Sequence, residues 1–296
     1  MDIDAYACCV AMQELLRLKG KNAIAYSKAP CNYSIGKSLL KDGQISDVLP
    51  PGCSKEELQY IIVDVSDPEY LKGSAPLENI IEIYDHHVGF EGYWTSRLND
   101  NAHIEFIGAA ATLIFREWKK KGLVTQMTQD TAKLLIAAIL DNTLDLTSSN
   151  TTKEDIETFN ALRKIAKTDR KWDELYFSEV QKSIEADLKN ALFGDLKMVN
   201  SNHILPNHIA QLCVWNSENV LTRLPEIREW FNETFDSWMI NLIDVKQRCC
   251  YFICDEKEHQ KNIKQFFGVD FNDGVAKSEK SYLRKEVIKK IYLKNL

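Results

Sequence analysis

Two apolar runs in this chain end in acid. "LQYIIVDVSD" (residues 58–67) and "NIIEIYDHH" (residues 79–87) are too continuously apolar for strands with one wet face. Such runs are the mark of parallel strands covered on both faces, and parallel strands need long crossovers, usually helical. The flanking sequence supplies them. Residues 4–19 carry apolar side chains at helical spacing and stop at Gly20. Residues 108–120 and 128–140 also read as helices, and "TTKEDIETFNALRKIA" opens with a Thr-x-x-Glu capping signal, Thr151 to Glu154. "NAIAY" (residues 22–26) reads as a short strand. Strands alternating with helices predict an α/β fold with an N-terminal parallel sheet.

The pattern changes further on. Residues 167–182, "KTDRKWDELYFSEVQK", are polar with scattered aromatics and are expected to bridge two domains, 1–166 and 183–296. The second would be a smaller α/β domain. It holds strand-like "HIAQLCVW", "SWMINLIDV" and "CCYFICDE" and helical "LPEIREWFNETF". Asp244 and Lys246 close one of those strands. Trp215, Trp230 and Trp238 read as its core, since nothing near them marks a base-stacking groove.

Charge and cysteine content exclude several classes of function. With 43 acidic against 37 basic residues the net charge is −6, which argues against a broad nucleic-acid-binding surface. The basic end, "KSYLRKEVIKKIYLKNL", points instead to a local patch for an anionic ligand. No apolar run nears the roughly 20 residues that span a bilayer. The eight cysteines include two adjacent pairs and no Cys-x-x-Cys. Reduced core thiols in a cytoplasmic protein are expected, with no structural zinc.

In open α/β sheets ligands bind beyond the carboxyl ends of the strands. Asp64 and the trio Asp85, His86 and His87 are expected there. Asp2 and Asp4 open the first helix, and Asp141 closes an apolar one. Each has a plain alternative: Asp2 or Asp4 as a helix cap, Asp64 as a turn, a histidine as a surface residue. Together they would repel one another strongly unless cations lay among them. Carboxylates mixed with imidazole suit Mn²⁺, Co²⁺ or Mg²⁺. A carboxylate shared by two such ions gives the geometry of two-metal phosphate-cleaving sites.

At this point the residues match a known family. "MDIDA", "IIVDVSD", "YDHH" and "AAILDNTLDLTSSNTTKED", in that order, resemble the DHH phosphoesterase superfamily, as does "IEFIGAAATLIF" between the His pair and the last acid. Asp187-Leu188-Lys189 and "YLRKEVIKKI" resemble the Asp-x-Lys and Ser-Arg-Lys motifs in the C-terminal domain of manganese-dependent (family II) inorganic pyrophosphatases and exopolyphosphatases. The resemblance covers nearly the whole chain. It implies an active site in the interdomain cleft and two divalent ions. Asp2, Asp4, Asp64, His86 and Asp141 are the implied metal ligands, with Asp64 bridging. Asp85 would orient a neighbouring imidazole, and His87 would contact phosphate. Lys189, Arg284 and Lys285 would form a cationic clamp, for which a solvated basic helix is the plain alternative.

The implied activity is in-line hydrolysis of a phosphoanhydride bond, pyrophosphate first. An exopolyphosphatase, a phosphodiesterase on a short nucleotide, or a non-catalytic phosphate-binding relative is the alternative. The partner is a small phosphate compound; neither a nucleic-acid scaffold nor a membrane is expected, and a homodimer is implied only by the resemblance. Two departures stand out. Leu283 replaces the motif's Ser. The family's His or Asn, four residues before the first metal-binding Asp, would precede Met1, as would the strand that carries it; the natural start is therefore expected upstream.

Overall fold

A computed structural model describes residues 1–199 and 204–292. The chain divides into two compact units, Met1–Tyr176 and Phe177–Leu296.

In the first unit, α1 (Ile3–Leu18) precedes β1 (Tyr60–Val63), α2 (Pro68–Leu71), β2 (Ile80–Asp85), α3 (Glu91–Leu98) and β3 (Ala102–Ile104). There follow α4 (Ala110–Lys120), α5 (Gln129–Asn142), α6 (Lys153–Ala166) and α7 (Arg170–Ala186), which runs across the division. Residues 167–182, read from sequence as a bridge, fall mostly within α7. The sheet order is β1-β2-β3 and both pairings are parallel, as the two acid-ended runs predict. α5 is buried on nearly every side, the mark of a helix apolar all round. It packs between α1 and α6, while α4 lies against β2.

Ile62, Leu71, Ala75, Ile80, Ile83 and Trp94 form a separate apolar cluster beside the sheet. The fully buried Trp94 indole donates to the Ser66 carbonyl at 2.6 Å, pinning α3 to the loop just after Asp64. Trp94→Phe keeps most of the apolar volume and orphans that carbonyl. It is expected to destabilise the first unit by about 1–2 kcal/mol, read from denaturant unfolding.

Local differences from the sequence reading have simple causes. Residues 22–26 are not a strand: only an isolated bridge joins Tyr26 to Ser46, and Ile24 stays exposed, so the segment gains no neighbour to pair with. The capping box of α6 sits one residue later, at Thr152 and Asp155, because Glu154 instead grips Arg116. Cys8, Cys249, Cys250 and Cys254 are buried and Cys31 and Cys53 exposed, so core thiols describe only part of the set; none is in a disulfide among the described residues.

The second unit holds α8 (Leu188–Gly194), β4 (Leu196–Met198), β5 (His208–Val214), α9 (Glu218–Thr222), α10 (Leu224–Thr234), β6 (Trp238–Asp244), β7 (Cys249–Ile253), α11 (Lys257–Phe267), β8 (Val275–Ser278) and α12 (Arg284–Tyr292). Its strands lie in the order β4-β5-β6-β7-β8, with only β5 and β6 parallel. β6 is buried throughout and ends at Asp244, whose carboxylate accepts from Ser217 and Gln247. Trp238 is core. Trp215 is half-buried against Phe177, and half-buried Trp230 has Lys189 and Arg223 over its ring, so two of the three tryptophans expected as core are not. Among the described residues, no helix is long and apolar enough to cross a membrane.

Candidate metal centre

The centre is built on the ends of β1 and β2. Asp64 follows β1 in a left-handed conformation, φ 58°, uncommon for a residue with a Cβ. Its N–H bonds the Tyr84 carbonyl at 2.8 Å, so the bend stays fastened to β2. One strand over, Asp85 is fully buried, and its Oδ1 accepts from the His86 and His87 backbone N–H groups at 2.8 and 3.2 Å. The same oxygen lies 2.8 Å from His87 Nδ1. One carboxylate thus shapes the whole His-His turn.

The two imidazoles have opposite settings. The His86 side chain is 1% exposed, and its Nδ1 faces the Ile107 carbonyl at 3.1 Å. A carbonyl can only accept, so Nδ1 carries the proton and Nε2 keeps its lone pair. That lone pair lies 3.4 Å from Asp64 Oδ1 and 3.8 Å from Asp4 Oδ2. His87 is 56% exposed. With Nδ1 donating to Asp85, only its other nitrogen remains for a ligand.

Asp4 comes from the first turn of α1, where Asp2 is the N-cap, accepting from the Ala5 N–H at 3.0 Å. The Asp4 carboxylate is fully buried at the start of α4, accepting from Ala110 and Ala111 N–H at 2.8 and 2.9 Å. A helix N-terminus favours an anion there. Cys8 Sγ lies 3.4 Å away; burial, then Asp4 and Asp64, push that thiol well up, so it stands beside the acids as a neutral S–H.

Electrostatics show how the acids bear on one another. Burial, then Asp4 and Asp2, push the Asp64 carboxyl well above its ordinary range. Burial likewise raises Asp4, partly offset by His86 and added to by Asp2. For Asp85 burial opposes ionisation, but the bonds and charge of His87 with other donors outweigh it and hold the carboxyl low. Asp64 Oδ1 is buried without a hydrogen-bond partner. A gap of 3.4 Å or more from the His86 lone pair is too long for a good hydrogen bond and suits an ion between the two. Ligand atoms of Asp64, His86 and His87 all lie within 4.8 Å of one another. An anionic oxygen donor set with one fixed imidazole fits a hard or borderline divalent ion.

Asp4, Asp64, Asp85, His86 and His87 are therefore gathered, and Asp2 is near enough to raise both Asp4 and Asp64. Asp141 lies outside that trio, half-buried at the end of α5, where the Tyr176 hydroxyl donates to it at 3.4 Å. In the second unit Lys189 is exposed over Phe193 and Trp230, and Lys285 is exposed on α12. Arg284 is buried, its guanidinium bonded to Asp195 and to the Ile209 carbonyl. It anchors the start of α12, and reaching a phosphate would require releasing Asp195. Sequence reasoning missed the backbone groups of Ile107, Ala110 and Ala111; the small-residue run Gly108-Ala109-Ala110-Ala111 was their only signal.

A scan against family models finds no match. Among curated proteins, a "Probable manganese-dependent inorganic pyrophosphatase" of Staphylococcus epidermidis is 25% identical over 242 residues, 78% of this chain and 75% of that one. A Staphylococcus haemolyticus protein of the same description is 24% identical over 287 residues, 93% of this chain and 89% of its own. Among solved structures, a Methanococcus jannaschii "putative family II inorganic pyrophosphatase" superposes with a TM-score of 0.66 at 18% identity, covering 99% of this chain and 97% of that one. An exopolyphosphatase-related protein of Bacteroides fragilis gives 0.51 at 13%, covering 99% and 88%. The chain thus shares the two-unit α/β fold of these structures, with parallel strands ending in Asp64 and in Asp85-His86-His87. In sequence the chain is similar, at about a quarter identity, to proteins described as manganese-dependent inorganic pyrophosphatases.

Proposed function

We propose that this chain is a metal-dependent phosphohydrolase that cleaves phosphoanhydride bonds, with inorganic pyrophosphate as its first substrate. The observation that carries this reading is the buried, unpartnered Asp64 oxygen facing the fixed lone pair of His86. The names of the curated relatives favour pyrophosphate among phosphoanhydrides.

Asp4, Asp64 and His86 would hold the first of two ions, with Asp2 and Asp141 completing the set and Asp64 shared. When bound, divalent ions such as Mn²⁺ supply Lewis-acid charge that activates water and neutralises phosphoryl oxygens. His87 keeps Nδ1–H on Asp85 and, in its protonated form, donates Nε2–H to a phosphoryl oxygen. Asp85 holds that ring in place. Lys189 and Lys285 would neutralise phosphate charge, with Arg284 seating the helix that presents Lys285. Aromatic faces of Phe193 and Trp230 hold Lys189 without spending its ammonium on an acid. A cytoplasmic setting accompanies this reading.

Phosphate release from pyrophosphate, tripolyphosphate and a short dinucleotide, each with Mn²⁺ or Mg²⁺, tests it. The fastest turnover is expected on pyrophosphate. No release from any of them would overturn the proposal, and preference for the longer chain would favour the exopolyphosphatase alternative. His87→Gln is expected to lower kcat about 10²-fold, the usual effect of losing one transition-state donor, with Mn²⁺ affinity unchanged because His86, not His87, offers the inward lone pair.

A further inference from the structure

We propose that Asp155, in the capping box of α6, is a positioning residue that sets His86 and Asp4 for the ion through the backbone of residues 107–111. This rests on the metal reading given above.

Asp155 is fully buried and both of its oxygens are occupied. Oδ2 accepts from the Gly108 N–H at 2.9 Å and from the Thr152 N–H and hydroxyl, each at 2.7 Å. Oδ1 accepts from the Thr112 hydroxyl at 2.6 Å. A capping box needs only the contacts to its own helix start. The other two reach across to the segment that opens α4.

That segment carries the groups that address the centre. The carbonyl before Gly108 is that of Ile107, which fixes the His86 tautomer at 3.1 Å. The N–H groups of Ala110 and Ala111 hold Asp4. One buried carboxylate thus brackets the stretch 107–111, at Gly108 and at Thr112 just beyond it, and the two ends of that stretch orient two proposed ligands. The fit is close. A Cβ on Gly108 would lie 2.6 Å from Asp155 Oδ2 and 2.7 Å from Thr143 Cγ2, so no other residue lets this backbone approach the carboxylate. Outer partners that orient metal ligands commonly change metal affinity by about 10–100-fold when removed.

The experiment measures Mn²⁺ binding to metal-stripped native chain, Asp155→Asn, Asp155→Glu and Thr112→Val, by free-Mn²⁺ electron paramagnetic resonance, with a thermal melt of each. Asp155→Asn loses one acceptor and should weaken Mn²⁺ binding about 10–100-fold while still melting cooperatively. Thr112→Val frees the same carboxylate only from the body of α4 and should lower the melting temperature with Mn²⁺ affinity within twofold of native. Should Asp155→Asn fail to fold, Asp155→Glu, which keeps the charge but displaces it by a methylene, decides the matter by the same comparison. Native affinity in a folded Asp155 variant, or an equal loss in Thr112→Val, overturns the inference alone. A native chain that takes up no Mn²⁺ overturns the metal reading and this inference with it.

Discussion

Asp64→Asn should reduce Mn²⁺-dependent hydrolysis about 10³-fold or more and, at the same time, raise the melting temperature of the metal-free protein. The first effect follows from removing the carboxylate proposed above to be shared between ions. An ion is worth several kcal/mol of transition-state charge stabilisation, and about 4 kcal/mol corresponds to roughly 10³-fold in rate. The second follows from the cost of that carboxylate without an ion. Asp64 is buried, has one oxygen unpartnered, and faces Asp4 and Asp2. Its ionised form is therefore disfavoured in the fold, and a neutral amide of the same size relieves the repulsion. Asn also tolerates the left-handed backbone at this position somewhat better than most residues. Steady-state phosphate release and a melt in chelator read the two effects. Loss of activity with a lower metal-free melting temperature would mean that Asp64 is a structural acid.

Divalent metal should invert the pH dependence of stability. In the metal-free protein the Asp4 and Asp64 carboxyls lie above their ordinary value of 3.8. A raised acid contributes stability that is complete below its unfolded value and is lost as pH rises through its folded value. Metal-free melting temperatures should therefore fall as pH climbs from about 4 toward neutrality. Asp85 is shifted the other way, and its contribution is lost only on acidification below 3.8, outside that window. With Mn²⁺ present the acids must be ionised to bind, so the stabilisation belongs to neutral pH and disappears on acidification. At 100 times Kd the ion adds about 2.7 kcal/mol, roughly 5–10 °C for a unit of this size. His86→Ala should lose most of that increment. Parallel melts at several pH values, with Mn²⁺ and with chelator, decide it, the two curves converging in acid and parting toward neutrality; a metal-free melting temperature that rises from pH 4 toward neutrality would sink the premise of mutually repelling acids.

The parts of this site that sequence makes legible are those with a periodic or terminal signature. Apolar runs ending in Asp64 and in Asp85-His86-His87 mark covered parallel strands whatever the remainder of the chain does. Contacts between distant segments leave no such mark. Asp155 reads as an ordinary helix-start acid, and only its approach to Gly108, 47 residues earlier, gives it another task. Arg284 reads as a solvated or ligand-facing cation, yet burial and Asp195 commit it to holding α12. The three successive positive φ values at Leu144, Asp145 and Leu146 are equally silent, because no glycine announces them. They persist because Thr143 bonds the turn from within and Arg170 grips Asp145 at 2.5 Å.

Asp4 satisfies the start of α4 through two backbone N–H groups, a contact that needs no ion. Its carboxylate thus has a structural task beside its proposed one, and that task by itself keeps the seat in shape. Stripping and reloading should accordingly be a fast, reversible exchange without refolding, so one preparation can be carried through Mg²⁺, Co²⁺ and Mn²⁺ in turn.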